Sequence, residues 1–362
     1  MAFEPGAGAA DGALPVLMKG NEAIGEAAII AGCHHYFGYP ITPQNELPAY
    51  MAARLPQVGG TFLQAESEVA AINMVFGASS AGARVMTSSS SPGISLKMEG
   101  ISYLSGAELP AVVVNMMRGG PGLGNIAGAQ GDYFQAVKGG GHGDYRCIVL
   151  APDSVQELAD LTVEAFDLAD QYRMVVILLG DGFIGQMSEP IHLPKSSQRT
   201  FDKSGWALTG AAGREPHLIA SMRLNPEDAL ARLNERLQAK YRQVEQAERR
   251  FQEEQADDAE YLLVGFGLSA RICRSAVAAL RKSGIRAGLF RPITLWPFPT
   301  PDLAKAAAGK HRLLVVEMNA GQMVEDVRLA VGSTVPVDFL GTLGGLTPQV
   351  DAIVERIRSY AR

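Results

Sequence analysis

Short, almost wholly apolar runs alternate along this chain with longer segments rich in alanine and other small residues. The runs at 111–116 (Ala-Val-Val-Val-Asn-Met) and 174–180 (Met-Val-Val-Ile-Leu-Leu-Gly) show no in–out alternation. Continuous apolar runs of that length suit strands buried on both faces of a parallel sheet. Between and around them the pattern predicts helices at 21–32, 45–55, 68–81, 94–104 and 156–171, and further strands at 35–39 and 84–87. Asn21 stands ready to cap the first helix and Gly32 to stop it. Strand–helix alternation of this kind means an α/β fold with a doubly wound parallel sheet. Residues 88–93 (Ser-Ser-Ser-Ser-Pro-Gly) are read as a turn.

The pattern breaks after residue 186. Residues 187–213 are turn-rich, and 225–254 carry glutamate and arginine on most turns, which predicts a charged, solvated connecting helix. A second, smaller α/β unit then begins, with strands at 261–264, 287–290 and 313–317 and helices at 270–283, 326–332 and 348–360. The expected division is a flexible N-terminus (1–18), a first α/β domain (19–195), a linker with the charged helix (196–258) and a second α/β domain (259–362).

Composition narrows the function. Of the 362 residues, 47% are apolar and only 19% charged, which favours large buried surfaces, subunit contacts included. The net charge of −6, with no basic stripe, argues against a nucleic-acid partner. The three cysteines, Cys33, Cys147 and Cys273, are too far apart for a zinc knuckle or an iron–sulfur ligand run. They read as free thiols in a reducing compartment, so no metal site is expected on this chain. No segment reads as a signal peptide or a membrane span, and a cytoplasmic protein is expected.

Candidate chemistry begins at Tyr39-Pro40-Ile41-Thr42-Pro43. Two prolines stiffen this turn, so Thr42 projects from a rigid frame. Further on, Ser67-Glu68 opens a strongly apolar segment, where a desolvated carboxylate would favour sharing a proton with a ring nitrogen. Spacing alone leaves open an ordinary helix N-terminal carboxylate. Arg118 follows a buried strand and precedes Gly119-Gly120-Pro121, where doubly wound sheets bind ligands and a guanidinium can pair a carboxylate. A structural ion pair is the alternative. Ser88–Ser91 with Gly93 offers hydroxyls and backbone N–H groups at a helix start.

Other motifs weigh less. Gly180-Asp181-Gly182 imitates the start of a magnesium motif but lacks the asparagine pair that should follow. Gly265, Gly267 and Ala270 imitate a dinucleotide fingerprint without an acidic residue at the end of the next strand. His34, His35 and His142 have no metal-site spacing, and His142 reads as a loop residue.

Taken in order, Tyr39 to Pro43, Ser67-Glu68, Thr87 to Gly93 and Arg118 to Pro121 resemble the alpha subunits of 2-oxoacid:ferredoxin oxidoreductases, over essentially the whole chain. The branched-chain type, acting on 3-methyl-2-oxobutanoate, is the nearest-looking branch. The resemblance implies a thiamine diphosphate pyrimidine-binding domain followed by a transketolase C-terminal-like domain. It implies a reaction in which a 2-oxo acid, coenzyme A and oxidised ferredoxin give acyl-CoA, CO2 and reduced ferredoxin. It assigns Glu68 to the pyrimidine ring of thiamine diphosphate as the catalytic group, and Thr42 and Arg118 to the substrate. Pro40, Ile41, Ser91 and Gly93 join Glu68 around the cofactor. The diphosphate and Mg2+ would lie on a beta subunit, with a gamma subunit and a ferredoxin-like iron–sulfur subunit completing the enzyme. The proline-rich stretch 291–299 would pack a subunit interface. Related readings are the same chemistry on 2-oxoglutarate or an aromatic 2-oxo acid, another thiamine enzyme, a nicotinamide enzyme, and a non-catalytic assembly subunit.

Overall fold

The computed structural model describes residues 14–197 and 199–361. Its first half runs β1 (Val16–Lys19), α1 (Gly20–Ile30), β2 (His35–Gly38), α2 (Glu46–Arg54), β3 (Thr61–Gln64), α3 (Glu68–Ser80), β4 (Val85–Ser89), α4 (Ser91–Gly106), β5 (Ala111–Met117), α5 (Tyr133–Val137), β6 (Ile148–Leu150), α6 (Val155–Tyr172), β7 (Val175–Asp181), α7 (Gly182–Gln186) and β8 (Ser188–Ile191). The second half runs α8 (Ala229–Ala247), β9 (Phe251–Glu254), β10 (Tyr261–Val264), α9 (Gly267–Lys282), β11 (Ala287–Pro292), β12 (Thr294–Trp296), α10 (Thr300–Ala307), β13 (Arg312–Glu317), α11 (Met323–Val331), β14 (Val337–Gly341) and α12 (Val350–Tyr360).

A seven-stranded sheet has the order β12-β6-β7-β5-β4-β2-β3, and every neighbouring pair except β12–β6 is parallel. β5 and β7 lie at its centre and are buried along their whole length, as apolar runs without alternation require. Because the strands are parallel, β2, β3, β4, β5 and β7 all end at one edge. A second sheet, β14-β13-β10-β11-β9, is parallel apart from β9. The doubly wound α/β expectation therefore holds for both units.

One strand of the second half stitches the two halves together. β12, from the proline-rich stretch, adds to the first sheet beside β6, and β9 adds to the second sheet beside β11. Residues 251–254, expected to continue the charged helix, are thus a strand. The stretch expected at a subunit interface is buried inside the chain instead. Arg291 is fully buried and forms a bidentate pair with Glu157 (2.6 and 2.6 Å), with Asp153 at 3.3 Å. Removing one partner of such a buried pair costs about 3–5 kcal/mol.

The charged helix is not solvated all round. Leu233, Leu237, Tyr241 and Val244 fall at helical spacing on one buried face of α8, and the Tyr241 ring meets Trp296 edge-on at 5.8 Å. Residues 16–18, placed in the flexible N-terminus by sequence, belong to β1, which pairs antiparallel with β8. Residues 1–13 of that expected segment lie outside the described residues.

Candidate functional site

The site is built where the parallel strands of the first sheet end. The Pro40–Pro43 turn leaves β2, the Glu68 helix follows β3, the serine turn leaves β4, and Arg118 follows β5 directly. The expected six-residue serine turn is shorter than the sequence suggested. β4 runs to Ser89 and α4 starts at Ser91, so Ser90 alone makes the turn. Hydroxyls tolerate extended backbone, and Pro92 suits the first turn of a helix.

Glu68 is the first residue of α3, which Ser67 caps by accepting a 3.2 Å bond from the Ala70 N–H. That cap fixes the chain so that the Glu68 side chain turns inward; the residue is 6% exposed. Its carboxylate has no hydrogen-bond partner among the described residues. It lies against Gly93, where a methyl group would stand 2.6 Å from Glu68 Oε1 and 2.1 Å from Ser89 Oγ. Only glycine leaves room there. Among the described residues the buried hydroxyls of Ser89 and Ser90 also have no partner, nor has Arg118 Nε. Unpaired buried polar atoms are rare in folded proteins, and each calls for an explanation.

Arg118 ties two loops together. Its Nη1 donates to the Thr42 carbonyl (3.0 Å) and its Nη2 to the Leu123 carbonyl (2.8 Å). The Pro40–Pro43 turn and the glycine loop are thereby held side by side, with Nε left over. Thr42 keeps its hydroxyl at the surface side, accepting from Asn45 Nδ2 at 3.1 Å. Pro40 is exposed, and Ile41 and Thr42 are half-buried. Ser91 is committed internally: its hydroxyl donates to Asp132 Oδ2 (2.6 Å) and accepts from the Arg118 N–H (3.0 Å). Among the four serines, Ser89 and Ser90 are the ones with hydroxyls to offer.

Asp132 is anchored by Ser91 and by Asn115 Nδ2 (2.9 Å). Burial pushes its carboxyl above the ordinary range, opposed by those two bonds. It lines a cleft of about 730 Å³ together with Arg118, Gly120 and, from the second unit, Asn319, Gln322 and Leu343. The cleft thus opens between the carboxyl ends of both sheets.

The two misleading motifs account for each other. Asp181 ends β7, where its Oδ1 accepts from the Ile184 N–H (3.1 Å) and its Oδ2 from the Leu268 N–H (2.8 Å) at the start of α9. Gln130 completes the plug, donating to the Phe266 carbonyl (2.8 Å) and accepting from Ser269 Oγ (2.8 Å). The glycine turn that imitates a nucleotide loop is therefore filled by the protein's own groups. Burial raises Asp181 to about 6 against its backbone hydrogen bonds. Among the described residues no cluster of three or more His, Cys, Asp or Glu could hold a metal ion. Cys33, Cys147 and Cys273 are free and buried, and burial lifts the Cys33 and Cys147 thiols to about 12. His142 lies exposed on its glycine loop. No helix among the described residues is long and apolar enough to cross a membrane.

Comparison with known proteins agrees with this architecture. Residues 26–256 match the family described as pyruvate flavodoxin/ferredoxin oxidoreductase, thiamine diphosphate-binding, and residues 259–353 match pyruvate:ferredoxin oxidoreductase core domain II. The chain is 51% identical over 345 residues to ketoisovalerate oxidoreductase subunit VorB of Methanothermobacter thermautotrophicus, covering 95% of this chain and 97% of that one. It is 38% identical to 2-oxoglutarate synthase subunit KorA of Archaeoglobus fulgidus, over 90% and 95% of the two chains. Among solved structures it resembles the 2-oxoglutarate:ferredoxin oxidoreductase of Magnetococcus marinus, with a TM-score of 0.87 and 29% identity. That match covers 96% of this chain but only 65% of the other. A split-gene transketolase, 12% identical with a TM-score of 0.59, shares the fold. With matched regions spanning both α/β units and a relative aligned almost end to end, the chain belongs to the thiamine-diphosphate-binding pyruvate flavodoxin/ferredoxin oxidoreductase family, as an alpha-type subunit of a 2-oxoacid:ferredoxin oxidoreductase.

Proposed function

We propose that this chain contributes the pyrimidine side of a thiamine diphosphate site in a complex that oxidatively decarboxylates a branched-chain 2-oxo acid. The reaction takes the 2-oxo acid, coenzyme A and oxidised ferredoxin to acyl-CoA, CO2 and reduced ferredoxin, with electrons leaving one at a time. The observation that carries this reading is Glu68, buried and without a hydrogen-bond partner among the described residues, packed with Ser89 against Gly93 where any side chain would collide with both. A planar ring bearing a basic nitrogen fits beside such a carboxylate, and the free hydroxyls of Ser89 and Ser90 suit its exocyclic nitrogen. Thiamine diphosphate, when bound, supplies the carbon nucleophile for the keto group and accommodates the electrons that CO2 leaves behind.

Glu68 shares a proton with the ring nitrogen and so sets the cofactor's protonation. Gly93 lets Glu68 and Ser89 pack side by side, and Pro40 and Ile41 would present a rigid backbone edge to the ring. Arg118 holds the substrate carboxylate through the Nε–H that the loops leave unpaired, and Thr42 donates its hydroxyl to the same carboxylate or to the keto oxygen. Ser91 keeps the Arg118 backbone and Asp132 in register rather than reaching the cofactor with its hydroxyl.

The diphosphate and Mg2+ are assigned to a beta subunit and the iron–sulfur clusters to further chains, a gamma subunit and a ferredoxin-like subunit among them. Two observations support partners: the cysteines here are buried and dispersed, and Leu123, Ile126, Leu343 and Leu346 stand exposed on the loops at the cleft. A cytoplasmic location follows from that chemistry. The branched-chain preference rests on the 51% identity to a ketoisovalerate oxidoreductase subunit, against 38% to a 2-oxoglutarate synthase subunit. The test is to purify the assembled complex, assay it for thiamine and iron, and compare rates on branched, dicarboxylic and aromatic 2-oxo acids. Thiamine together with fastest turnover of the branched acid is expected. A complex without thiamine, or one that prefers 2-oxoglutarate, contradicts the reading.

A further inference from the structure

Lys97 is a charge in an apolar place. It lies on α4 among Ile94, Met98 and Ile101, and its side chain is fully buried. Its Nζ donates one hydrogen bond, 2.9 Å, to Thr87 Oγ1 on β4. An ammonium has three N–H donors, so this contact leaves most of its charge unanswered. No carboxylate lies within ion-pair distance of it among the described residues. Loss of solvent brings the group down to about 7, and the charge that opposes this is Glu68.

The backbone explains why those two groups feel each other. Gly93 and Lys97 are four residues apart on α4 and share a face. Helical side chains lean toward the N-terminus, so Lys97 lies over the turn that Gly93 occupies. Gly93 is the residue against which Glu68 Oε1 rests. Thr87 and Ser89 are two apart on β4 and also share a face, and the Ser89 hydroxyl is the other atom that Gly93 makes room for. Lys97, Thr87, Ser89, Gly93 and Glu68 therefore form one buried line that ends at the pocket.

We propose that Lys97 is a positioning residue for Glu68: anchored on Thr87 beside Gly93, its buried ammonium is the charge partner that holds the Glu68 carboxylate in place. The role in turnover rests on the assignment of Glu68 to the cofactor ring, whereas the coupling between the two side chains does not. Burial of Lys97 gives its charge a leverage on a neighbour that solvent would screen at the surface.

Two experiments separate these layers. In the full chain without cofactor, lysine labelled with 13C at Cε is titrated by NMR, the Lys97 signal being the one missing from Lys97→Met. Glu68→Gln should lower the Lys97 midpoint by about one pH unit, about tenfold in proton affinity. An unmoved midpoint overturns the proposal. In the assembled complex, Lys97→Met should shift the acid limb of the kcat/KM–pH profile upward by a similar amount, leave the KM for coenzyme A unchanged, and be reversed in part by Lys97→Arg. A uniform loss at every pH with an unmoved acid limb means a structural role only and also overturns it. If Lys97→Met fails to assemble, the Glu68→Gln titration decides alone. A coupled titration in a protein whose complex contains no thiamine would leave the pairing intact and remove the proposed function instead.

Discussion

Two strand-to-helix turns in this molecule look alike and behave oppositely. β4 passes through Ser90 into α4, and β10 passes through Gly265 and Phe266 into α9. Each sets a helix N-terminus at the carboxyl end of a parallel strand, where α/β proteins bind ligands. At the second turn the Leu268 N–H is taken by Asp181, and Gln130 holds Phe266 and Ser269. A methyl at Gly267 would stand 2.9 Å from both Asp181 Oδ2 and Gln130 Nε2. At the first turn the buried hydroxyls of Ser89 and Ser90 and the carboxylate of Glu68 have nothing of the kind. Glycine spacing cannot distinguish a filled turn from one that awaits a ligand; the count of satisfied polar atoms can.

The comparison can be broken at either turn, and the largest effect is expected at the first. Glu68→Gln keeps size and polarity but cannot hold the proton, and should lower turnover of the assembled complex by roughly two orders of magnitude or more. Unchanged turnover would make this an assembly subunit. Gly93→Ala forces a methyl into contact with Ser89 Oγ and Glu68 Oε1. Displacing a reacting group by about 1 Å can cost about a hundredfold, so turnover should fall toward that of Glu68→Gln while the chain's circular dichroism stays the same. Arg118→Lys keeps the charge but loses the fork that joins Thr42 and Leu123. Initial-rate kinetics should show the KM for the 2-oxo acid rising about tenfold, with a smaller change in kcat.

The second turn should respond in stability. Asp181→Ala strips the partners from two buried N–H groups, worth about 1–3 kcal/mol. The effect has a pH signature. Burial raises the Asp181 carboxyl from 3.8 to about 6, so the folded state holds this proton more tightly than the unfolded one. Its stabilising contribution is present below about pH 4 and is lost as pH rises through 6. The deficit of Asp181→Ala in thermal unfolding should therefore be larger at acidic than at neutral pH. A deficit that grows with pH would mean that the ionised carboxylate is the favoured form.

Much of this was legible in the sequence. The central strands β5 and β7 declare themselves because a strand buried on both faces needs an unbroken apolar run. Arg118 reaches the Thr42 carbonyl, and Glu68 starts its helix at the same sheet edge, because each follows the carboxyl end of a parallel strand. Short elements stayed hidden: β3 spans four residues and β6 three, too few to show a period. β12 crosses into the other unit's sheet, a tertiary choice with no local signal. Ser91 and Ser89 differ only in which way the hydroxyl points, so sequence could not say that Ser91 serves Asp132 while Ser89 faces Glu68. Lys97 sits among apolar residues of an amphipathic-looking helix, and nothing in its spacing marks it as buried.

The central claim is that Glu68, packed with Ser89 against Gly93, meets the ring of thiamine diphosphate. The most direct measurement is an experimental density map of the complex assembled with its partner subunits and thiamine diphosphate. The account predicts a pyrimidine nitrogen within hydrogen-bond reach of the Glu68 carboxylate, with Ser89 and Ser90 alongside. A ring bound elsewhere, with the Glu68 carboxylate turned away from it, would contradict the account.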